Sequence, residues 1–179
     1  AFYADYDDTH QLLSLVIPEN AKNLVDNGDM SSWKRGNKVP KEWNIIGISD
    51  QSGSSDIQRA GVPENYYVSV LNSLSANRML TQTIPLDNAK SGDKYVISAW
   101  GLSGATLPRE EHFWGVRILA KNSDNEEVEI HSMPFDASLW NVEQTRLTAF
   151  SLPFDTDEIT IQLVSSQQLG DVAFDNICL

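Results

Sequence analysis

The chain has 179 residues, of which 41% are hydrophobic and 21% are charged, as is usual for a globular domain with a sizeable core. Its 13 basic and 25 acidic residues give a net charge of −12, which opposes binding to nucleic-acid phosphates or anionic lipids. No apolar run approaches the roughly 18 residues of a membrane span. We therefore predict neither a nucleic-acid partner nor membrane insertion.

The first 22 residues differ in character from the rest of the chain. Residues 2–8 read FYADYDD, an aromatic and acidic run, and the apolar residues 12–17 could form a strand that ends before Pro18. We interpret residues 1–22 as a linker or the tail of a preceding domain, which could add a strand. Residues 23–179 are then one domain.

Short runs rich in β-branched and aromatic residues alternate with turn-forming residues along the chain. The predicted strands are residues 11–17, 43–48, 66–71, 79–86, 94–100, 113–120, 127–131, 146–152, 158–164 and 171–179. The turn-forming residues include Gly53, the segment 101–108 and Gly170. This spacing predicts an all-β protein, a β-sandwich of nine or ten strands in two antiparallel sheets, rather than alternating β-α units.

The two ends of the predicted domain carry distinctive motifs. Residues 23–30 read NLVDNGDM, Pro40 and Trp43 follow, and residues 174–179 read FDNICL. These motifs resemble those of jelly-roll carbohydrate-binding modules of families four, sixteen and twenty-two. Such modules open with Asn-Leu-hydrophobic-x-Asn-Gly-x-Phe-Glu, continue with Pro-x-x-Trp and close with aromatic-Asp-Asp-hydrophobic-x-Leu. The resemblance covers residues 23–179 and implies a jelly-roll β-sandwich that binds a polysaccharide.

Groups that could support catalysis are scattered. His10, His112 and His131 lack metal-ligand spacing, and the chain has no nucleophile elbow, phosphate loop or His-Glu-x-x-His motif. The pair Glu110 and Glu111 could in principle hydrolyse a glycosidic bond. Acidic pairs are common in a chain with 25 carboxylates, so we predict a protein that is not an enzyme.

Sugar binding requires aromatic faces for pyranose C–H groups, together with polar groups for the hydroxyls. Trp43 matches the Pro-x-x-Trp position that meets the ligand in some modules, and it could equally be a core anchor at the start of a strand. Trp140, in the segment SLWNV, resembles a family segment whose Trp lies beside the cleft in some modules. Trp100 ends a predicted strand just before a loop, where it could face either way.

Two polar residues complete the predicted ligand site. Arg117 shares one face of its strand with Phe113, while Trp114 alternates onto the opposite, core face. Gln82 lies in phase with apolar neighbours, so its amide requires a partner, either a sugar hydroxyl or a neighbouring backbone. The resemblance places a similar Gln in the binding face.

The resemblance also implies a structural calcium ion between the opening motif and the last strand, with Asp175 as a side-chain ligand and carbonyls near Asn27 contributing. The Phe-Glu of the family is Met30-Ser31 here, so the usual glutamate ligand is missing. Asp29 could replace it, as could Asp26 or Asp171, or the site is lost. Oxygen ligands of this kind suit Ca²⁺, which would join the two termini away from the sugar.

We therefore predict a non-catalytic module of a larger secreted or surface bacterial protein, extracellular or at the cell surface, next to other modules of the same parent chain. It would bind a polysaccharide or oligosaccharide by aromatic stacking and hydrogen bonds in a groove of one sheet. The alternative is a structural or adhesion domain of a large surface or tail-fibre protein that has no sugar ligand. The single cysteine, Cys178, excludes an internal disulfide and is expected to be buried in the last strand.

Overall fold

A computed structural model describes residues 3–6, 12–16, 21–34, 36, 38–47, 56–74 and 76–179 of the chain. The strands in chain order are β1 (Tyr3–Tyr6), β2 (Leu12–Val16), β3 (Trp33–Lys34), β4 (Val39–Pro40), β5 (Asn44–Ile46), β6 (Ile57–Val62), β7 (Asn65–Asn72), β8 (Asn77–Ala89), β9 (Lys94–Ser103), β10 (Leu107–Lys121), β11 (Glu127–Pro134), β12 (Gln144–Ser151) and β13 (Thr156–Cys178). Across these ranges, no helix is long and apolar enough to cross a membrane.

Strands β5 to β13 form two antiparallel sheets that share the long strand β13. Sheet I has the order β11-β10-β13-β8-β5 and uses the first half of β13. Sheet II has the order β12-β9-β13-β7-β6 and uses the second half. The predicted all-β sandwich of two antiparallel sheets is confirmed.

The prediction that Gly170 separates two strands was wrong, because β13 continues through it. Backbone φ angles of +53° at Gln167 and +119° at Gly170 redirect the strand while its partners change from β8 and β10 to β7 and β9. A side chain at Gly170 would place its Cβ 2.5 Å from the carbonyl oxygen of Ala105, so only glycine permits this approach. The predicted loop 101–108 shortens to residues 104–106, because β9 extends to Ser103 and β10 begins at Leu107.

Strand β6 was missed by the sequence prediction. Only Ile57 of its six residues is buried, because β6 is the edge of sheet II, and edge strands lack strong apolar alternation. The predicted strand 11–17 appears as β2, which pairs with β1 in a separate two-stranded sheet. Residues 11, 17, 48 and 53, which also figured in the predictions, lie outside the described residues.

The core lies between the two sheets and is built from the inward side chains of every long strand. Sheet I contributes Leu80, Trp114 and Ile161, and sheet II contributes Ile97 and Phe174, all of them buried. Burying one such side chain stabilises the fold by about 1.5–3 kcal/mol. The predicted core position of Trp114 is confirmed. Because strands alternate, the remaining side chains project from the outer face of each sheet, where a ligand could reach them.

The opening and closing motifs meet at the end of β13. Leu24 N–H donates to the carbonyl of Leu179 at 2.8 Å, and Ile177 N–H donates to the carbonyl of Gly28 at 2.9 Å. Cys178 is exposed, so the prediction of a buried thiol was wrong: Ile177 and Leu179 take the inward positions and alternation turns Cys178 outward.

Candidate functional site

A line of hydrogen-bonding side chains crosses the outer face of sheet I at right angles to its strands. Arg117 is paired with Ser132 on one side and with Gln162 on the other. Gln162 is paired with Thr81, which is in turn paired with Asn44. Directly paired residues of antiparallel strands project to the same face, so the five side chains form one continuous row. We call these residues the polar row.

An apolar row runs beside the polar row on the same face. Its members are Pro134, Gly115, Val164, Met79 and Ile46, which are also paired from strand to strand. Val164 projects outward and yet is 1% exposed, so its neighbours cover it, and Gly115 has no side chain. We call the two rows together the sheet I groove.

Arg117 is held in place within the groove by two partners. Its Nε lies 3.3 Å from Oε1 of Glu129, and its guanidinium carbon lies 4.2 Å from the ring centroid of Phe113. Both members of the ion pair are partly exposed, so it contributes at most about 1 kcal/mol of stability. Its main effect is to orient the guanidinium, whose other N–H groups can donate to a ligand.

The side-chain amides of Gln162 and Asn44 have no hydrogen-bond partner among the residues that the structure describes. Gln162 is half-buried in the middle of sheet I, and Asn44 is exposed at its edge. An amide offers two donors and an acceptor, which match the alternating donor and acceptor character of sugar hydroxyls. A ligand could therefore bond these two side-chain amides without displacing a protein contact.

An aromatic pair lies on the outer face of the opposite sheet. The rings of Trp100 and Tyr67 have centroids 5.4 Å apart at an interplanar angle of 49°. Trp100 is paired with Asp175 on β13, and Tyr67 follows on the far side of that strand, next to the Val68–Phe174 pair. Trp100 and Tyr67 therefore flank Asp175 on its own face of sheet II.

Asp175 is 6% exposed, and its pKa is raised to about 6. Burial is the main cause, a hydrogen bond from Asn176 N–H acts in the opposite direction, and the negative charge of Asp29 raises the pKa further. The two carboxylates predicted to bind a metal are thus close enough to interact. The described residues contain no cluster of three or more His, Cys, Asp or Glu side chains suited to a metal ion.

Two of the predicted ligand residues lie in the interior instead of at the surface. Trp43 is 1% exposed, and its Nε1 donates to the carbonyl of Asn27 at 3.2 Å, so neither face of the indole is open to a sugar. Gln82 is buried, and its amide bonds both backbone groups of Asp26 at 2.8 Å. The structure corrects the prediction for both, because each side chain is used to hold the opening motif against the core.

Trp140 is 49% exposed in the loop between β11 and β12. Its backbone pairs with Ser103 at the end of β9, and the neighbouring Asn141 N–H donates to the carbonyl of Ser103 at 2.7 Å. The five predicted ligand residues are thus not one site: Arg117 lies in the sheet I groove, Trp100 on sheet II and Trp140 at the end of β9. Sequence reasoning missed Asn44, Thr81, Gln162 and Tyr67, because only strand register brings them into line.

The fold, with two curved antiparallel sheets, is that of a jelly-roll β-sandwich. No model of a known protein family matches the chain, and no curated protein matches it. Among solved structures it is similar to a family 4 carbohydrate-binding module (TM-score 0.55, 18% identity), covering 85% of this chain and 96% of that one. It is also similar to TmCBM61 in complex with β-1,4-galactotriose (TM-score 0.52, 13% identity), covering 88% of this chain and 97% of that one.

A further similarity is to the enzymatically active domain of tailspike protein 4 from bacteriophage CBA120, with a TM-score of 0.57 and 16% identity. The match covers 87% of this chain but only 21% of the tailspike chain. At these identities the similarities show the fold alone. They confirm that the chain resembles carbohydrate-binding modules in architecture.

Proposed function

We propose that this chain is a non-catalytic polysaccharide-binding module and that the sheet I groove holds one segment of the glycan. The observation that supports this most directly is the polar row beside the apolar row, in register across all five strands of sheet I. A glycan has the same two-sided character, with hydroxyls at the ring edge and C–H groups on the ring face. A chain lying along the rows could satisfy both.

The groove would bind by hydrogen bonds to the polar row and by apolar contact with the neighbouring one. The amides of Gln162 and Asn44 and the oriented guanidinium of Arg117 would bond hydroxyls, each contributing about 0.5–1.5 kcal/mol. Met79 and the exposed Ile46 would meet the C–H face. Affinity from so few contacts is modest, and we infer that tethering within a larger extracellular protein raises it through effective concentration, with residues 1–22 as the connecting segment.

The first test is binding of the purified chain to a panel of xylan, mixed-linkage β-glucan, mannan and β-1,4-galactan, by affinity electrophoresis and calorimetry. We expect binding to at least one glycan and a loss of about tenfold in Gln162→Ala, equivalent to about 1.4 kcal/mol. Ser123→Ala, in the exposed turn between β10 and β11, is the matched control and should bind as the wild type does.

A folded wild-type protein that binds no glycan of the panel would overturn the proposal. Binding that survives unchanged in both Gln162→Ala and Asn44→Ala would retain the function but move it from the sheet I groove. Near-ultraviolet circular dichroism distinguishes either result from misfolding, because the buried Trp43 and Trp114 report on intact packing.

The alternative function is a structural or adhesion domain of a larger surface or tail protein. Two observations favour it: Trp43 is buried, and Phe113, an aromatic ring beside the groove, lies under the guanidinium of Arg117. The similarity to a tailspike domain is consistent with this function as well. The glycan panel separates the two functions, since a purely structural domain would bind no glycan of it.

We also propose a structural calcium site at Asp175 and Asp29. The fit rests on a buried carboxylate whose pKa is raised and whose neighbour is a second carboxylate, because a divalent cation would neutralise both. Calcium would supply a positive charge that joins the opening motif to β13. We expect calcium to raise the melting temperature by about 5 °C or more in the wild type and not in Asp175→Asn. Equal melting curves with calcium and with chelator would exclude the site.

A further inference from the structure

The outer face of sheet II also carries two adjacent rows of side chains that cross its strands, and one of these rows contains aromatic residues. One row across this face consists of Thr145, Trp100 and Asp175, which are paired, and continues beyond Asp175 with the pair Tyr67 and Ala60. The next row consists of Leu102, Ala173, Ser69 and Gln58, which are also paired from strand to strand. We call these two rows the sheet II face.

The second row of this face is low beside the aromatic pair. Ala173, on the central strand, is 4% exposed although it projects outward, and Ser69 beside it is also small. Trp100 and Tyr67 are large and keep part of their surface exposed. The partly exposed rings therefore stand beside small side chains, where a pyranose ring could contact them.

Charge narrows the class of ligand. Asp175 is the only carboxylate among the nine residues of the sheet II face, and neither row contains a basic side chain. A face without cations, on a chain of net charge −12, does not attract sulfated or uronic-acid polymers. Indole and phenol rings bind the apolar C–H face of a neutral sugar, and each stack adds about 0.5–1.5 kcal/mol beyond area burial.

We infer that the sheet II face is a second binding surface for a neutral polysaccharide, with Trp100 and Tyr67 as its contact residues. This inference rests on the proposed function, because the same class of ligand would occupy both faces. The two surfaces lie on opposite outer faces of the sandwich, so one molecule can hold two glycan chains and bridge them. The protein is then a cross-linker of polysaccharide chains as well as a tether.

The competing explanation of the aromatic pair is structural. Trp100 and Tyr67 flank Asp175 and shield its carboxylate from water, which agrees with its low exposure and raised pKa. A purely structural role predicts that truncating either ring changes stability and the pKa of Asp175 but leaves glycan binding unchanged. Binding stoichiometry is therefore the measurement that separates the two explanations.

The experiment compares the wild type, Gln162→Ala with Asn44→Ala, Trp100→Ala, and Tyr67→Ala as a second variant should Trp100→Ala not fold. Calorimetry with hexasaccharides of the glycans in the panel gives the number of sites. Light scattering with the parent polymers shows whether one protein joins two chains. We expect two sites and growth of large particles for the wild type. We expect one site and no cross-linking for each single-face variant, with Ser123→Ala behaving as the wild type.

One-site binding by the wild type that disappears in the sheet I double variant and persists in Trp100→Ala and Tyr67→Ala would overturn the inference and leave the proposed function intact. Absence of all glycan binding by folded wild-type protein would overturn both. One-site binding that disappears only in the Trp100 and Tyr67 variants would also overturn bivalency, and would assign the single site to sheet II.

Discussion

The side-chain amide of Gln82 bonds both the backbone N–H and the backbone carbonyl of Asp26, at 2.8 Å each. Gln82 projects into the core from β8, whereas Asp26 belongs to the opening motif, so a buried amide fastens that motif to sheet I. The pairing explains why a polar residue lies in phase with Leu80 and Ile84.

We expect Gln82→Leu to lower the free energy of unfolding by about 1–3 kcal/mol, because it leaves two backbone groups of Asp26 without their partner. Urea denaturation followed by tryptophan fluorescence measures the change. Glycan binding below the unfolding range should be unaltered. A loss of affinity in folded Gln82→Leu would instead mean that the amide, or the motif it holds, contributes to the ligand site.

Trp43→Ala is expected to lower the free energy of unfolding more than most other substitutions in the chain. The indole is buried and its Nε1 bonds the carbonyl of Asn27, so truncation removes packing and a hydrogen bond together. Deleting a buried Trp side chain costs about 3–5 kcal/mol. Trp140→Ala, which removes a half-exposed indole, is the matched control and should cost less than about 1 kcal/mol. Similar denaturation midpoints for the two variants would contradict the burial of Trp43.

Asp175 should make the protein less stable as the pH rises. Its pKa in the folded state is about 6, above its ordinary value of 3.8, so the folded protein binds the proton more tightly. The resulting stabilisation is complete below about pH 4 and is lost as the pH rises through about 6, a change of up to about 3 kcal/mol. Asp175→Asn should remove this dependence when unfolding is measured in chelator. Parallel profiles of stability against pH for the wild type and Asp175→Asn would exclude this contribution of Asp175.

His131 should make the protein more stable as the pH rises, the opposite of Asp175. Burial lowers its pKa below 6.5, while its Nε2 lies 2.7 Å from the hydroxyl of Thr148 and its ring stacks on Phe150. The unfolded chain therefore binds a proton first, and stability is lost as the pH falls from about 6.5 toward the folded pKa. His131→Phe, which retains the ring, should flatten the pH profile in this range. Measuring the pH profile of His131→Phe in the Asp175→Asn background separates the contribution of His131 from that of Asp175. If the slope of stability against pH did not change there, His131 would not be its source.

The sequence by itself determined the class of fold and the inward residues of its clearest strands. Alternation in segments such as 158–163 is a property of the strand alone, so it identifies Ile159, Ile161 and Leu163 as inward residues before any partner is known. The terminal motifs likewise indicated which parts of the chain meet. The glycine of the opening motif is needed for this contact, because a Cβ at Gly28 would lie 2.0 Å from the carbonyl oxygen of Ile177 in the closing motif.

Only the tertiary structure decided which residues share a surface. The polar row joins Asn44 to Thr81 and to Gln162, residues far apart in the chain, and the register between their strands is set by long-range pairing. The same limit explains the misplaced site residues. An aromatic or amide residue next to apolar residues gives the same local sequence pattern in both cases. It can point inward, as Trp43 and Gln82 do, or outward, as Trp100 does. That choice depends on which neighbouring strand and loop cover the residue, and local sequence does not contain this information.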